Sequence, residues 1–130
     1  MFSKVSRVLV LAAVAANLAG AAVLKERFTA PVTICENIDS PQQCVTLPVN
    51  ADTCIDLTGG LDPWNNAISI VDVPQGFACS FFDQFDCVSN GNNDVVFLQT
   101  GETNMFNAEG FQGPQNFNDL ASSFTCAAVW

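Results

Sequence analysis

The chain of 130 residues carries 13 acidic and four basic side chains and no histidine or tyrosine, with a formal net charge of −9 at pH 7. All four basic residues precede residue 28, whereas 12 of the acidic residues follow it, Glu26 being the exception. Such a surface repels nucleic-acid phosphates and anionic lipids and attracts cations. Because this region offers no imidazole base, no amine nucleophile and no cationic clamp, we expect a non-enzymatic protein.

The N-terminal segment has the pattern of a secretory signal peptide. Lys4 and Arg7 precede an apolar run from Val8 to Val23, and the run closes with small residues. A basic head, an apolar middle and a small-residue end are typical of signal peptides. We therefore expect a secreted, extracellular protein with a signal peptide at 1–22, a short N-terminal extension or propeptide at 23–29, and one domain at 30–130.

Seven short apolar segments rich in Val, Ile, Thr and Phe follow, separated by turn-forming Gly, Pro and Asn residues. In chain order they are PVTIC (31–35), CVTLPV (44–49), TCIDL (53–57), AISIVDV (67–73), FACSFF (77–82), DVVFLQT (94–100) and SSFTCAAVW (122–130). A short helical turn is expected in 58–66 or in 103–112. Strands at this spacing without long helices between them predict an all-β sandwich.

A weak internal repeat divides the domain into two halves. PWNNAIS (63–69) and NFNDLASS (116–123) share the order apolar, Asn, Asn or Asp, two further residues, and Ser. PQG (74–76) lies between the halves. The repeat predicts two units of about four strands each.

The second repeat, NDLASS, resembles the Asn/Asp-Asn/Asp-x-x-Ser/Thr-Ser signature of calcium-binding βγ-crystallin Greek keys. Asn118, Asp119, Ser122 and Ser123 match all four defined positions. The first repeat, NNAISI, matches with Asn65, Asn66 and Ser69 but has Ile70 at the last position. The cysteine-rich composition is similar to that of small secreted fungal members. The resemblance implies an all-β fold of two Greek key motifs forming a βγ-crystallin-like β-sandwich, with the first key at about 30–73 and the second at about 77–126.

The same resemblance implies a set of calcium ligands, and calcium takes six to eight oxygen ligands in flexible geometry. Besides Asn65 and Asn118, the implied set comprises the hydroxyls of Ser69 and Ser122, the backbone carbonyls of Ala67 and Leu120, the side chains of Asn66 and Asp119, each reaching the site of the other key, and backbone oxygens near Glu36 and Asp83. Ser123 would instead tie down the first hairpin of its own key, a role that Ile70 cannot fill.

Six cysteines all follow the predicted signal peptide, and an even number in a secreted chain predicts three disulfides. They are Cys35, Cys44, Cys54, Cys79, Cys87 and Cys126. Six cysteines allow 15 pairings, so the connectivity stays open. Among these pairings we favour Cys44–Cys54 within the first key and Cys79–Cys126 across the ends of the second, with Cys35–Cys87 left by elimination.

Several motifs have a second interpretation. Asn-Asp ahead of an apolar run is also typical of a helix cap or an Asx turn, in which case the loop is structural only. Asp83 and Asp86 are spaced like the carboxylate pair of a glycosidase, which would make the protein a small hydrolase, although a strand-end turn is favoured. The phenylalanines at 77, 81, 82 and 85 are interpreted as core in preference to a ligand platform, and NGNND (90–94) as a hairpin loop in preference to a cation site.

These observations predict a secreted, non-enzymatic, calcium-binding or structural protein. The alternative is a secreted interaction protein on the same scaffold, such as a fungal effector, a killer-toxin-like antimicrobial protein or a protease inhibitor. The expected partners are calcium ions and an unidentified extracellular protein or glycan, with no nucleic acid and no membrane. The expected state is a monomer.

Overall fold

A computed structural model describes residues 29–39, 41–91 and 93–129, within which the chain forms ten strands. Residues 1–22 and most of the 23–29 extension lie outside the described residues. The strands are β1 (Thr29–Cys35), β2 (Cys44–Asn50), β3 (Ile55–Asp56), β4 (Ile70–Val73), β5 (Phe77–Phe82), β6 (Val95–Leu98), β7 (Gly101–Asn104), β8 (Ala108–Gly110), β9 (Gly113–Gln115) and β10 (Ser123–Ala128).

All seven predicted segments contain a strand, and three strands were not predicted. The additional strands β7, β8 and β9 lie in a region that the sequence indicated as a turn or a short helix. Both expected helical regions do contain 3₁₀ turns, at Gly59–Trp64 and Met105–Asn107. A further 3₁₀ turn spans Phe85–Cys87. No helix in the described part of the chain is long and apolar enough to cross a membrane.

Two four-stranded antiparallel sheets form the sandwich, and each takes one strand from the other half of the chain. The first sheet has the order β2-β1-β4-β7 and the second has the order β3-β10-β5-β6. The strand β3 from the first half thus lies in the second sheet, and β7 from the second half lies in the first. This exchange interlocks two Greek keys, which confirms the predicted all-β Greek key sandwich.

The core lies between the two sheets and is built by strands that alternate buried and exposed residues. Phe81 and Phe124 stack in it with parallel rings 4.7 Å apart between centroids. Val32, Val71 and Phe117 are fully buried with them. Of the four phenylalanines predicted as core, those at 77 and 81 are buried, the one at 82 is half-buried, and the one at 85 is exposed. The core prediction was therefore wrong for Phe85.

The three disulfides are Cys35–Cys44, Cys54–Cys87 and Cys79–Cys126. The prediction of Cys79–Cys126 is confirmed, because both residues face each other across β5 and β10. The predicted Cys44–Cys54 and Cys35–Cys87 bridges were wrong. Cys35 ends β1 and Cys44 begins β2, so the antiparallel register places these two cysteines opposite each other. Cys54, just before β3, instead forms a disulfide with Cys87, just after β5, and this bridge links the two keys.

Candidate metal site

Two equivalent loops meet where the keys join, and each carries one copy of the repeated signature. The backbone N–H of Asn66 donates to the carbonyl of Ala121 at 3.0 Å, and the N–H of Asp119 donates to the carbonyl of Ile68 at 3.1 Å. These two hydrogen bonds are reciprocal. Each runs from the second residue of the six-residue signature in one key to the fourth residue of the signature in the other key. The loops are therefore held together by their own backbones, in a pseudo-twofold arrangement.

The second signature position requires a left-handed backbone in both keys. Asn66 has a φ of 57° and Asp119 has a φ of 61°. Asn and Asp enter this conformation more readily than other residues with a side chain, because their short polar groups bond locally. The residue types at these positions thus follow from the shape of the loop. The conformation is required whether or not a metal binds.

In the first key, the serine of the signature reaches the end of β1. The N–H of Ser69 donates to the carbonyl of Cys35 at 2.8 Å, and its hydroxyl donates to the carbonyl of Glu36 at 2.7 Å. Two oxygens of the implied ligand set, Ser69 Oγ and Glu36 O, are therefore in direct contact. Ala67 lies in the same loop, where its N–H donates to the carbonyl of Trp64.

In the second key, the equivalent serine makes a different side-chain contact. The N–H of Ser122 donates to the carbonyl of Phe82 at 2.8 Å, which repeats the first key. Its hydroxyl, however, lies 3.3 Å from Oδ1 of Asn66 in the other key. The structure thus brings Ser122 and Asn66 together, but it shows no hydrogen bond between the Ser122 hydroxyl and Asp83. The N–H of Asp83 donates to the carbonyl of Asp94 in its own hairpin.

The two remaining side chains at the second loop face outward. Leu120 is exposed, and so is the carboxylate of Asp119, which accepts no hydrogen bond from the described residues. This carboxylate is accordingly free to bind a cation.

Two buried amide oxygens flank the paired loops without a donor. These are Oδ1 of Asn65 and Oδ1 of Asn118, which accept no hydrogen bond from any described residue. They occupy the same first position of the signature in the two keys. A buried acceptor without a partner is costly, and a bound cation or its hydration shell would satisfy it.

The atoms gathered at the paired loops suit a hard cation. They are hydroxyl, amide and carbonyl oxygens with one carboxylate, the ligand types that calcium takes. Across the described ranges, no three His, Cys, Asp or Glu side chains cluster so that they could hold a metal ion. A site here would depend mainly on neutral oxygens, which fits calcium better than a metal that prefers nitrogen or sulfur.

The last signature position has a structural role in the second key. The fully buried hydroxyl of Ser123 donates to the carbonyl of Gln84 at 2.5 Å and accepts from the N–H of Cys87 at 2.9 Å. These bonds hold the hairpin between β5 and β6, as predicted. In the first key this position is Ile70, which has no hydroxyl.

Contacts around Cys87 were missed from the sequence. Oδ1 of Asp56 accepts from the N–H of Asp86 at 2.7 Å, next to the Cys54–Cys87 bridge. Asp86 and Cys87 both have positive φ values, and so need such support. Asp86 is thus joined through its backbone to Asp56. Nothing in the local sequence relates residues 30 positions apart, and only the exchange of β3 brings them together.

No protein-family model and no curated protein sequence matches the chain. Among solved structures, the N-terminal domain of protein S is similar at 19% sequence identity and a TM-score of 0.53, covering 77% of this chain and 98% of that domain. A mutant of a βγ-crystallin domain from Clostridium beijerinckii is similar at 17% identity and a TM-score of 0.54, covering 76% of this chain and 99% of that domain. The strand exchange, the paired loops and these two likenesses together establish that the chain has a βγ-crystallin-like fold.

Proposed function

We propose that this protein is an extracellular, non-enzymatic scaffold that binds calcium at its paired loops. The observation that carries the proposal is the reciprocal pair of hydrogen bonds between Asn66 and Ala121 and between Asp119 and Ile68. This pairing holds oxygen-bearing groups from both keys side by side before any metal binds. A ligand set that is already arranged loses less entropy on binding.

Each site would take oxygens from both keys. The first site would comprise the Glu36 and Ala67 carbonyls, the Ser69 hydroxyl and the Asp119 carboxylate. The second would comprise the Asp83 and Leu120 carbonyls, the Ser122 hydroxyl and Oδ1 of Asn66. Bound calcium would supply a positive charge that joins one key to the other across the sandwich.

The two sites should differ in affinity. The first includes the carboxylate of Asp119, whereas the second has the neutral amide of Asn66 in the equivalent place. Because calcium affinity rises with the number of charged ligands, the first site should bind more tightly. With so few charges we expect dissociation constants on the order of 10⁻⁵ to 10⁻³ M, the range of weaker sensors and extracellular modules.

Titration calorimetry with calcium, together with thermal unfolding, tests this function. Calcium should raise the unfolding temperature, because it binds the folded state and not the unfolded chain. Asp119→Ala should weaken binding most, and Ser122→Ala should weaken it less. The matched control is Asp72→Ala, which removes an exposed carboxylate of β4 that belongs to neither proposed ligand set. An unchanged melting curve at millimolar calcium would make the loops structural only.

Export from the cell is the second part of the proposal. The three disulfides support it, because such bridges persist in oxidising compartments. The apolar N-terminal segment supports it too. Intact mass measurement of secreted material should find a mature chain that begins between Gly20 and Phe28. A retained Met1 would contradict this part.

A further inference from the structure

A groove crosses the outer face of the second sheet, at the end away from the paired loops. It has a volume of about 360 Å³. Small side chains of β5 and β10 form its floor, namely Ala78, Ser80, Thr125 and Ala127. Phe97 of β6 and Glu109 of β8 line it as well, and so does Asp52 from the turn after β2. Neither signature loop contributes a residue, so the groove is distinct from the candidate calcium sites.

An exposed aromatic pair lies beside the groove, where Phe97 lines the groove and Phe111 contacts Phe97. Phe97 is 39% exposed and Phe111 is 61% exposed. Their rings meet edge to face at 77°, with centroids 5.0 Å apart. Exposing two neighbouring phenylalanine rings to water is unfavourable, and grouped exposed apolar side chains commonly mark a binding surface. The pair therefore points to a partner that covers it.

The polar side chains of the groove have no hydrogen-bond partners in the part of the chain that the structure describes. The carboxylates of Asp52 and Glu109, the hydroxyls of Ser80 and Thr125, and the amide of Gln99 make no hydrogen bond to any described residue. All five line the same groove. They are available to a ligand, and two of them are negatively charged.

Charge decides which kind of partner fits. The chain has no Lys, Arg or His after residue 27, so nothing in the domain itself neutralises the two carboxylates. A neutral sugar could stack on the Phe97 ring but would not compensate these charges. A Lys or Arg side chain would do both, since its aliphatic stem covers apolar surface while its cation meets a carboxylate or an aromatic ring.

We propose that this groove binds an extended, basic segment of another protein. The stem of a Lys or Arg side chain lies on the small residues of the floor, and its charged end lies between Phe97 and Glu109. A second basic side chain pairs with Asp52. The assignment is independent of calcium binding and gives the scaffold a docking surface of its own.

Fluorescence anisotropy with a labelled peptide of alternating arginine and glycine tests the proposal, in buffer that contains a calcium chelator. Glu109→Gln and Phe97→Ala should each weaken binding roughly five- to tenfold, in the range of single ion-pair and cation–π contacts. Glu102→Gln and Phe106→Ala are the matched controls. They change an exposed residue of the same type outside the groove, and they should leave binding within about twofold.

Three outcomes would overturn the proposal. If Glu102→Gln and Glu109→Gln weakened peptide binding equally, the peptide would be held by the net charge of the protein and not by the groove. Tighter binding of a labelled neutral oligosaccharide than of the peptide would make the groove a glycan site. Absence of peptide binding to the wild type would remove the site altogether. If Phe97→Ala lowers the unfolding temperature, Glu109→Gln decides, because that side chain is exposed and bonds to no described residue.

Discussion

The hairpins that open the two Greek keys occupy equivalent places in the fold but are closed by different chemistry. In the first, Cys35 of β1 faces Cys44 of β2, and the two form a disulfide. In the second, Phe82 faces Val95 at the same point of the register, without a covalent link. There the buried hydroxyl of Ser123 bonds to the hairpin instead. The first key has its disulfide where it lacks this serine.

The strand register shows that the two hairpins are held at equivalent positions. Ile70 pairs with Cys35 just as Ser123 pairs with Phe82. A covalent bridge and a pair of buried hydrogen bonds thus solve the same problem, which is to hold a hairpin that presents a carbonyl to the paired loops. The first solution is sensitive to reduction, whereas the second is sensitive to loss of single polar groups.

Removing the bridge of the first hairpin should destabilise the folded protein more than any other change discussed below. The double variant Cys35→Ala, Cys44→Ala should lower the free energy of unfolding by about 2–3 kcal/mol, given the short loop that the bridge closes. Urea denaturation measures this. The double variant should also weaken calcium binding at the first site, which includes Glu36, more than at the second site, which includes Asp83. If stability were unchanged, the bridge would not be what holds this hairpin.

In the second hairpin, the corresponding change is Ser123→Ala. It leaves the N–H of Cys87 and the carbonyl of Gln84 without their partner, which should cost about 1–3 kcal/mol with or without calcium. Ser80→Ala is the control, because that hydroxyl bonds to no described residue, and it should change stability by less than about 0.5 kcal/mol. Equal effects of the two substitutions would show that the Ser123 bonds do not hold the hairpin.

Exchanging one charge between the keys tests why the two candidate sites should differ in affinity. Asp119→Asn should weaken the tighter calcium site on the order of tenfold, and Asn66→Asp should strengthen the weaker one by a similar factor, because the carboxylate is the main difference in charge. Both residues keep a type that tolerates positive φ. Calorimetry of the two variants should show the order of affinities reversed in the double exchange. Identical isotherms for all variants would separate these side chains from metal binding.

Features that lie within one short segment of the chain could be predicted from the sequence. The second signature was recognisable because Asn118, Asp119, Ser122 and Ser123 are close in the chain, and their spacing is fixed by one tight loop. The role of Ser123 was implied by the resemblance, and its bonds to Gln84 and Cys87 confirm it. The Cys35–Cys44 bridge is accessible from the strand ends alone, since the two residues that flank a hairpin at 36–43 must face each other.

Other features depend on contacts that a local pattern does not contain. The strand β7, GETN, has no apolar alternation because it lies at a sheet edge, half-exposed, and is fixed by pairing with β4. The Cys54–Cys87 bridge depends on the transfer of β3 into the other sheet. The groove is formed by β5, β6, β8, β10 and the turn after β2, so its residues are scattered along the chain.

The smallest effect is a pH dependence confined to the second hairpin. Its loop is organised by Asp94, which accepts from the hydroxyl of Ser89 at 2.6 Å and from the N–H of Asn90 at 2.5 Å. The Ser89 hydroxyl first, and the Asn90 N–H second, lower the pKa of Asp94 below its ordinary value of 3.8. A carboxyl group with a lowered pKa in the folded state stabilises it fully above the unfolded value, and this contribution is lost as the pH falls through the folded value.

Asp94→Asn should therefore reduce stability at pH 7, and the difference from the wild type should shrink once the pH falls below about 4. Because the carboxylate is solvent-accessible, the effect should be small and should decrease in high salt. Urea denaturation at pH 7 and at pH 3 measures it. Asp72→Asn is the control, since that carboxylate on β4 bonds to no described residue. The first hairpin is closed by a disulfide and should not contribute to this pH dependence. If Asp94→Asn and Asp72→Asn showed the same change of stability with pH, the cause would be general charge repulsion and not the loop around Asp94.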